Sequence, residues 1–227
     1  ACNKLQGMFA FAIYDTVSRS LFLARDPYGI KPLYLSDDGQ TLRFASQVKA
    51  LLAGGAIEDA IDPAGLAGFA LFGHVPEPFT LHRAIRSLQA GHHLTVRDGR
   101  VGQPVSFASI AEPFAARQQQ GAEGAEVCRQ ALRESVGRHL EADVELGLFL
   151  SGGVDSGAVL GLMRDHLGAH PIKAITLAFD DLAGTDADEV ASAREIAAHH
   201  KADHHVRRIS REELAASVPA ILSNMDQ

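Results

Sequence analysis

The rhythm of apolar positions changes about halfway along the chain. In "GMFAFAIYD" (Gly7 to Asp15) large and small apolar residues alternate, which predicts a strand covered on both faces. "TVSRS" turns the chain and "LFLARD" returns it as an antiparallel hairpin. "PYGIKPLYLS" is a loop punctuated by glycine and proline that enters another strand, and "DDGQ" turns into "TLRFAS". Short helices are predicted at "VKALLAG" and "DPAGLAGFALFG", the second starting at Asp62 with Pro63 in its first turn. "HHLTVRDGRVGQPVSF" closes this antiparallel part with a hairpin on Asp98-Gly99.

From about Ala108 to Gly124 the periodicity fades and glutamine, glycine and alanine accumulate, as in an inter-domain connection. Beyond it the pattern predicts a helix (Ala125 to Leu140), a strand (Val144 to Leu150) and a helix (Ser156 to Leu167). A strand (Ile172 to Phe179), an acidic loop and a helix (Asp188 to His200) follow. Strands alternating with helices predict a parallel sheet with helices on its faces. The chain therefore reads as an α+β domain over 1–110 followed by an α/β domain over 111–227. Both ends read as cut: strand-like sequence begins at once without an initiator methionine, and "AILSNMDQ" stops without a polar tail.

A net charge of −7 makes a basic face for nucleic acid or a membrane surface unnecessary, and Arg207, Arg208 and Arg211 read as a solvated cluster. Cys2 and Cys128 lack disulfide-framework or zinc-site spacing. Cys128, Leu132, Val136 and Leu140 form an i, i+4 stripe expected to be core. No apolar run approaches the roughly 20 residues of a transmembrane helix, no signal peptide precedes the first strand, and a cytoplasmic setting is the simplest. The pairs His92-His93, His199-His200 and His204-His205 suit packing or surface roles better than a metal, since neighbours on a strand point to opposite faces. In "DDLAGTDADE", Asp186, Asp188 and Glu189 read as charges capping the next helix rather than as a cation site.

The stretch with the most chemistry is "FLSGGVDSG". An apolar strand ends in Ser151, Gly152 and Gly153, and a helix follows. In an open parallel sheet ligands bind at this edge. Glycines free the backbone for unusual φ and close approach, the first helical amides lack partners, and the Ser151 and Ser156 hydroxyls can donate to phosphate oxygens. Asp155 beside phosphates is repelled unless Mg²⁺ lies between them, which predicts a polyphosphate ligand with Asp155 on its metal. No GxxxxGK[ST] is present, so this is not a Walker A loop. The plainer alternative is a tight strand-to-helix turn with Asp155 as a cap.

"DVELGLFLSGGVDSG" closely resembles the pyrophosphate-binding loop of the ATP pyrophosphatases, and within them the synthetase domain of glutamine-hydrolysing asparagine synthetases. "GMFAFAIYD", "ARDPYGIKPLYL", "FASQVKALL" and "SLQAGHHLTV" resemble the later half of that family's glutaminase domain. "DHHVRR" and "LSNMDQ" are similar to later synthetase segments, so the resemblance runs through nearly the whole chain in order. It implies part of an N-terminal-nucleophile (αββα) glutaminase domain, then part of a doubly wound parallel-sheet adenine-nucleotide (PP-loop) domain. It also implies ammonia release from glutamine, adenylation of the aspartate β-carboxylate by Mg-ATP, and displacement of AMP by ammonia. Ser151, Gly152, Gly153, Asp155 and Ser156 would hold pyrophosphate and Mg²⁺, and the backbones of Phe149 and Phe179 would face adenine. Phe179 is larger than the aliphatic usual there, and Asp180 stands where glycine is common. The resemblance is compatible with a homodimer and gives no place to nucleic acid or membrane.

Several residues depart from the pattern. Cys2 sits in "ACNKLQG" rather than in a Cys-Gly-Ile type start, so the glutaminase nucleophile is not assigned to it and no catalytic residue is assigned in this chain. Gln47 replaces a usual glutamate. Arg25, Asp26, Gly29 and Lys31 could line an ammonia route or a domain interface, or form an internal salt bridge bracing a tight loop. Two other functions stay open beside asparagine synthesis. One is a related synthetase adenylating a different carboxylate for β-lactam or peptide cyclisation. The other is a non-catalytic nucleotide-binding module, for which intact Ser151 and Asp155 are an awkward inheritance.

Overall fold

The computed structural model describes residues 2–111 and 122–226, so most of the expected connection lies outside the described residues. The chain divides into two compact units, Ala1–Gln118 with Asn224–Gln227, and Gln119–Ser223.

In the first unit, β1 (Ala10–Asp15) and β2 (Ser20–Arg25) form the expected hairpin, and β3 (Tyr34–Asp37) pairs with β4 (Leu42–Ala45). Helices α1 (Val48–Ala53) and α2 (Pro63–Phe72) follow. After them come β5 (Arg86–Ser87), β6 (His92–Arg97), β7 (Arg100–Val101) and β8 (Val105–Ser106). One sheet runs β1-β2-β6-β7 with β8 also on β6, and the other runs β4-β3-β5, all pairs antiparallel. Leu23 and Leu94, paired across β2 and β6, share a core with Leu33, Leu88 and Leu35, so the two sheets meet through this layer. Val48 and Leu51 of α1 pack with Ile85 and Tyr34 in a second core.

Local chemistry accounts for the ends of these elements. Asp98 and Gly99 both have positive φ, +50° and +73°, the conformation a two-residue hairpin with right-handed strand twist requires. Asp62 caps α2 by accepting from the Ala64 amide, and Gly73 closes it in the left-handed conformation. Gln47 gives α1 no side-chain cap; the Asp226 carboxylate accepts from the Val48 and Lys49 amides instead. β1 corrects the sequence reading. Among the described residues it is an edge strand, and Ile13 and Tyr14 are more than half exposed, so its continuous apolar run is not covered on both faces.

The second unit contains α3 (Ala122–His139), β9 (Gly147–Phe149), α4 (Val154–Leu167) and β10 (Lys173–Phe179). After a single 3-10 turn come α5 (Val190–His199), β11 (Asp203–Ile209) and α6 (Arg211–Asn224). The three strands are parallel in the order β11-β10-β9. Leu150, Leu160, Met163, Ile172, Ala174, Ala193 and Ala197 form the core, with Val136 of α3 and Leu140 just after it against this core.

Three expectations change here. β10 alternates strictly, burying the small residues Ala174, Thr176 and Ala178 and leaving Ile175, Leu177 and Phe179 exposed on the other side. Small residues let α4 and α5 approach the sheet. Among the described residues, helices cover this one face only, not both. The apolar stripe on α3 is split: Val136 and Leu140 reach the core, whereas Cys128 is exposed and Leu132 is half exposed. Only the later part of α3 docks closely, where Gly137 lets the His166 ring of α4 approach and His166 Nε2 bonds the Arg133 carbonyl. The first predicted strand shrinks to Gly147–Phe149, with Val144 exposed before it.

Candidate functional site

The loop after β9 is built by its own hydroxyls. The Ser151 and Ser156 hydroxyls lie 2.9 Å apart, the Ser151 amide donates to Ser156 Oγ, and the Gly153 amide donates to Ser151 Oγ. These contacts fold the chain back over the start of α4. They also engage both hydroxyls within the loop, rather than leaving them free as donors. Among the described residues, the amides of Gly152, Val154, Asp155 and Ser156 have no acceptor. Four such donors at the start of a 14-residue helix create a positive field.

Gly152 and Gly153 serve the loop differently from the expectation. Neither has a positive φ, so unusual backbone conformation is not their role. At Gly152 the constraint is space: a Cβ would lie 3.0 Å from Ser192 Cβ and 3.5 Å from Glu189 Cβ, so a larger residue would need the start of α5 to give by a few tenths of an ångström. Glu189 and Ser192 thus border the loop, which spacing in the sequence did not reveal.

Asp155 lies in the first turn of α4, exposed, and has no ion pair or hydrogen bond among the described residues. It is not the cap, because the N-cap residue is Gly153 and makes no side-chain bond. An unpaired carboxylate beside four unpaired amides fits a polyphosphate bridged by a hard cation, with donors on the phosphate and Asp155 on the metal. No group of three His, Cys, Asp or Glu gathers as a metal site among the described residues. The Phe149 and Phe179 side chains stand on the uncovered face of the sheet, Phe149 paired with Ile175.

The acidic loop approaches from the side. Asp188 accepts from the Gly184 and Val190 amides, and these bonds, with Arg208 at 3.7 Å, hold its carboxyl below the usual range. Arg207 and Arg211 pair with Glu213 and Asp181 on the exposed surface.

In the first unit, Asp26 is fully buried and accepts from the amides of Phe9, Tyr28, Ile30 and Lys31. Arg25 donates to the carbonyls of Gly29, Lys31 and Leu88 and to Ser87, and pairs with Glu77 at 2.5 Å. The bracing is real, but the salt bridge is not internal to the loop: the acid is supplied 52 residues downstream. Gly29 has a φ of +64°, a left-handed conformation that favours glycine, and a Cβ there would also meet the Arg25 guanidinium at 2.9 Å. Cys2 is buried in a short 3-10 turn.

Comparison with known proteins joins these two halves. The family described as "Glutamine amidotransferase domain" matches residues 1–106, and the family described as "Asparagine synthase" matches residues 127–227. Asparagine synthetase [glutamine-hydrolyzing] 1 of Bacillus subtilis is 34% identical over 229 residues, covering 100% of this chain and 34% of its own. A Mycobacterium tuberculosis protein, provisionally assigned as a glutamine-hydrolysing asparagine synthetase, is 36% identical over 236 residues, covering 99% of this chain and 34% of its own. A fungal relative, amidase chry2 of Gibberella zeae, is 29% identical over 94% of this chain and 33% of its own. The chain thus spans about a third of the length of the curated relatives it matches. With both matches in this order along one chain, it belongs to the glutamine-hydrolysing asparagine synthetase family.

Proposed function

We propose that this chain forms part of a glutamine-dependent, ATP-using carbon–nitrogen ligase that makes asparagine from aspartate. In this reading 1–110 is the later part of a glutaminase domain of the N-terminal-nucleophile class. Residues 111–227 are the early part of a PP-loop synthetase domain, working in the cytoplasm on small-molecule substrates. The observation that carries the proposal is the β9 exit, where unpartnered amides of Gly152, Val154, Asp155 and Ser156 lie beside the unpaired Asp155 carboxylate.

The chemistry follows from that pairing. A carboxylate is a poor electrophile. Its oxygen attacks the α-phosphorus of ATP, the bond to the β-phosphate oxygen breaks, and pyrophosphate leaves with the electron pair. Ammonia then attacks the acyl carbon and AMP departs. Helix α4 and the loop amides stabilise the charge that builds on pyrophosphate. Mg²⁺, when bound, neutralises phosphate charge so that Asp155 is attracted rather than repelled. Leu150 and the loop that follows hold the phosphate end, and the backbones of Phe149 and Phe179 border the base.

In the full-length protein, aspartate-dependent exchange of labelled pyrophosphate into ATP is expected. Asp155→Asn is expected to lower it by about tenfold or more, since one metal ligand is lost, with the fold retained and only a small drop in thermal unfolding from the lost charge at the helix start. Exchange undiminished in that variant would remove the assigned role of Asp155. Exchange that requires another acid would keep the nucleotide site and change the acceptor.

A further inference from the structure

We propose that Thr176 and His204 are positioning residues of the nucleotide loop, a two-step hydrogen-bond strut that runs from β11 through β10 to the Leu150 carbonyl just past the end of β9. This deepens the reading of Ser151–Ser156 as a phosphate loop and rests on it where nucleotide binding is concerned.

The strut takes over where the sheet stops. Phe149 pairs with Ile175, and the Leu150 amide donates to the Ile175 carbonyl at 2.8 Å, as a parallel ladder requires. In a continued ladder the Leu177 amide would come next, donating to the Leu150 carbonyl. That bond is absent among the described residues. The Thr176 hydroxyl instead donates to the Leu150 carbonyl at 2.7 Å. A side chain thereby stands in for the main chain, and the strand can leave the sheet one residue before Ser151 with its buried carbonyl satisfied.

Proton counting orients the second bond. A threonine hydroxyl has one hydrogen, and the Leu150 carbonyl can only accept, so that hydrogen points to Leu150. The contact between Thr176 Oγ1 and His204 Nε2, also 2.7 Å, then requires the hydrogen to be on His204 Nε2. Thr176 is 2% exposed, so loss of either partner leaves a polar atom in the core. Burial first, then Arg194 on α5 and the adjacent His205, hold the His204 ring below the usual histidine range, which favours the neutral ring; the contact with Thr176 is what places its one hydrogen on Nε2. The strut lies beneath the loop and is contributed by residues of β10 and β11, outside Ser151–Ser156.

Paired variants of the full-length protein separate shape from hydrogen bonding. Thr176→Val keeps the branched shape and loses the hydroxyl; Thr176→Ser does the reverse. His204→Leu loses the donor; His204→Gln retains one. Calorimetric titration with MgATP is expected to show affinity reduced about fivefold or more in Thr176→Val and His204→Leu, and within about twofold of wild type in Thr176→Ser and His204→Gln. Without nucleotide, hydrogen–deuterium exchange at residues 150–156 is expected to quicken in the first pair and not in the second.

Wild-type affinity and exchange in Thr176→Val and His204→Leu would overturn the strut, as would a serine variant as impaired as the valine variant. If Thr176→Val fails to fold, the His204 pair decides. A wild-type protein that binds no MgATP would instead overturn the nucleotide reading, and the exchange arm would still decide whether the strut holds the loop.

Discussion

Asp26 shows how much one side chain can organise when it is buried with the right partners. Burial alone pushes its carboxyl upward, but the amides of Lys31, Ile30, Tyr28 and Phe9 outweigh that and hold it below the ordinary carboxylate range. Asp26→Asn turns one acceptor edge into a donor facing N–H groups. It is expected to lower stability by about 2–3 kcal/mol at neutral pH, measured by urea unfolding. Because the folded carboxyl is the stronger acid, its contribution is complete above the unfolded value of about 3.9 and is lost as pH falls through the folded value. The variant should lack that portion of acid sensitivity. "ARDPYGIKPLY" revealed in the sequence that a tie was needed, since a loop with glycine and proline must satisfy its amides somehow. It could not reveal Glu77 as the partner of Arg25, because that proximity is created only by the fold. The position of Asp155 in the first turn of the helix after the glycine loop was legible, because an apolar strand that ends in two glycines must turn there. Thr176 was not: one hydroxyl in "IKAITLAF" looks like an ordinary β-branched strand residue.

Among the elements, α2 depends on close approach. A Cβ on Gly65 would lie 2.0 Å from the Thr80 carbonyl oxygen, and one on Gly68 would lie 2.3 Å from Pro76 Cδ. Gly65→Ala is expected to cost about 3 kcal/mol, although alanine is the better helix former, and a lowered urea midpoint would register it. Retained stability would mean that the Thr80 segment yields. The helix ends were legible from Asp62, Pro63 and Gly73, which act locally. The Asp98-Gly99 turn was legible for the same reason. β11 escaped because "DHHVRRI" conceals its alternation under charged and imidazole groups. The apolar stripe of α3 misled in the opposite way, since period alone does not say how far along a helix its neighbour extends.

Across the molecule, acid is expected to act in two steps. Burial is the leading cause that depresses His200, followed by His199 and Arg164, while Asp165 opposes; burial also leads at His204. For these groups the unfolded chain takes the proton first. Stability therefore falls as pH drops through the unfolded histidine value of about 6.5 and levels off below the folded values. Carboxyls held low, including Asp26, Asp62, Asp188 and Asp38 at about 2 beside Arg43, add a second loss below about 3.9. Unfolding midpoints followed against pH should show both, and His204→Gln should flatten the first. The mixed α/β character and the order of the two halves were legible from the change in apolar rhythm. The single covered face of the parallel sheet was not, because a run such as "IKAITLAF" reads alike whether one side or two are packed. That sheet has a practical corollary. Phe149, Ile175, Leu177 and Phe179 line one broad greasy plane, and β9 and β11 each leave a rim without a strand neighbour among the described residues. Such a surface is a template for stray strands, so handling this polypeptide by itself at high concentration invites clumping, and solubilising charges belong on that plane rather than around Ser151–Ser156.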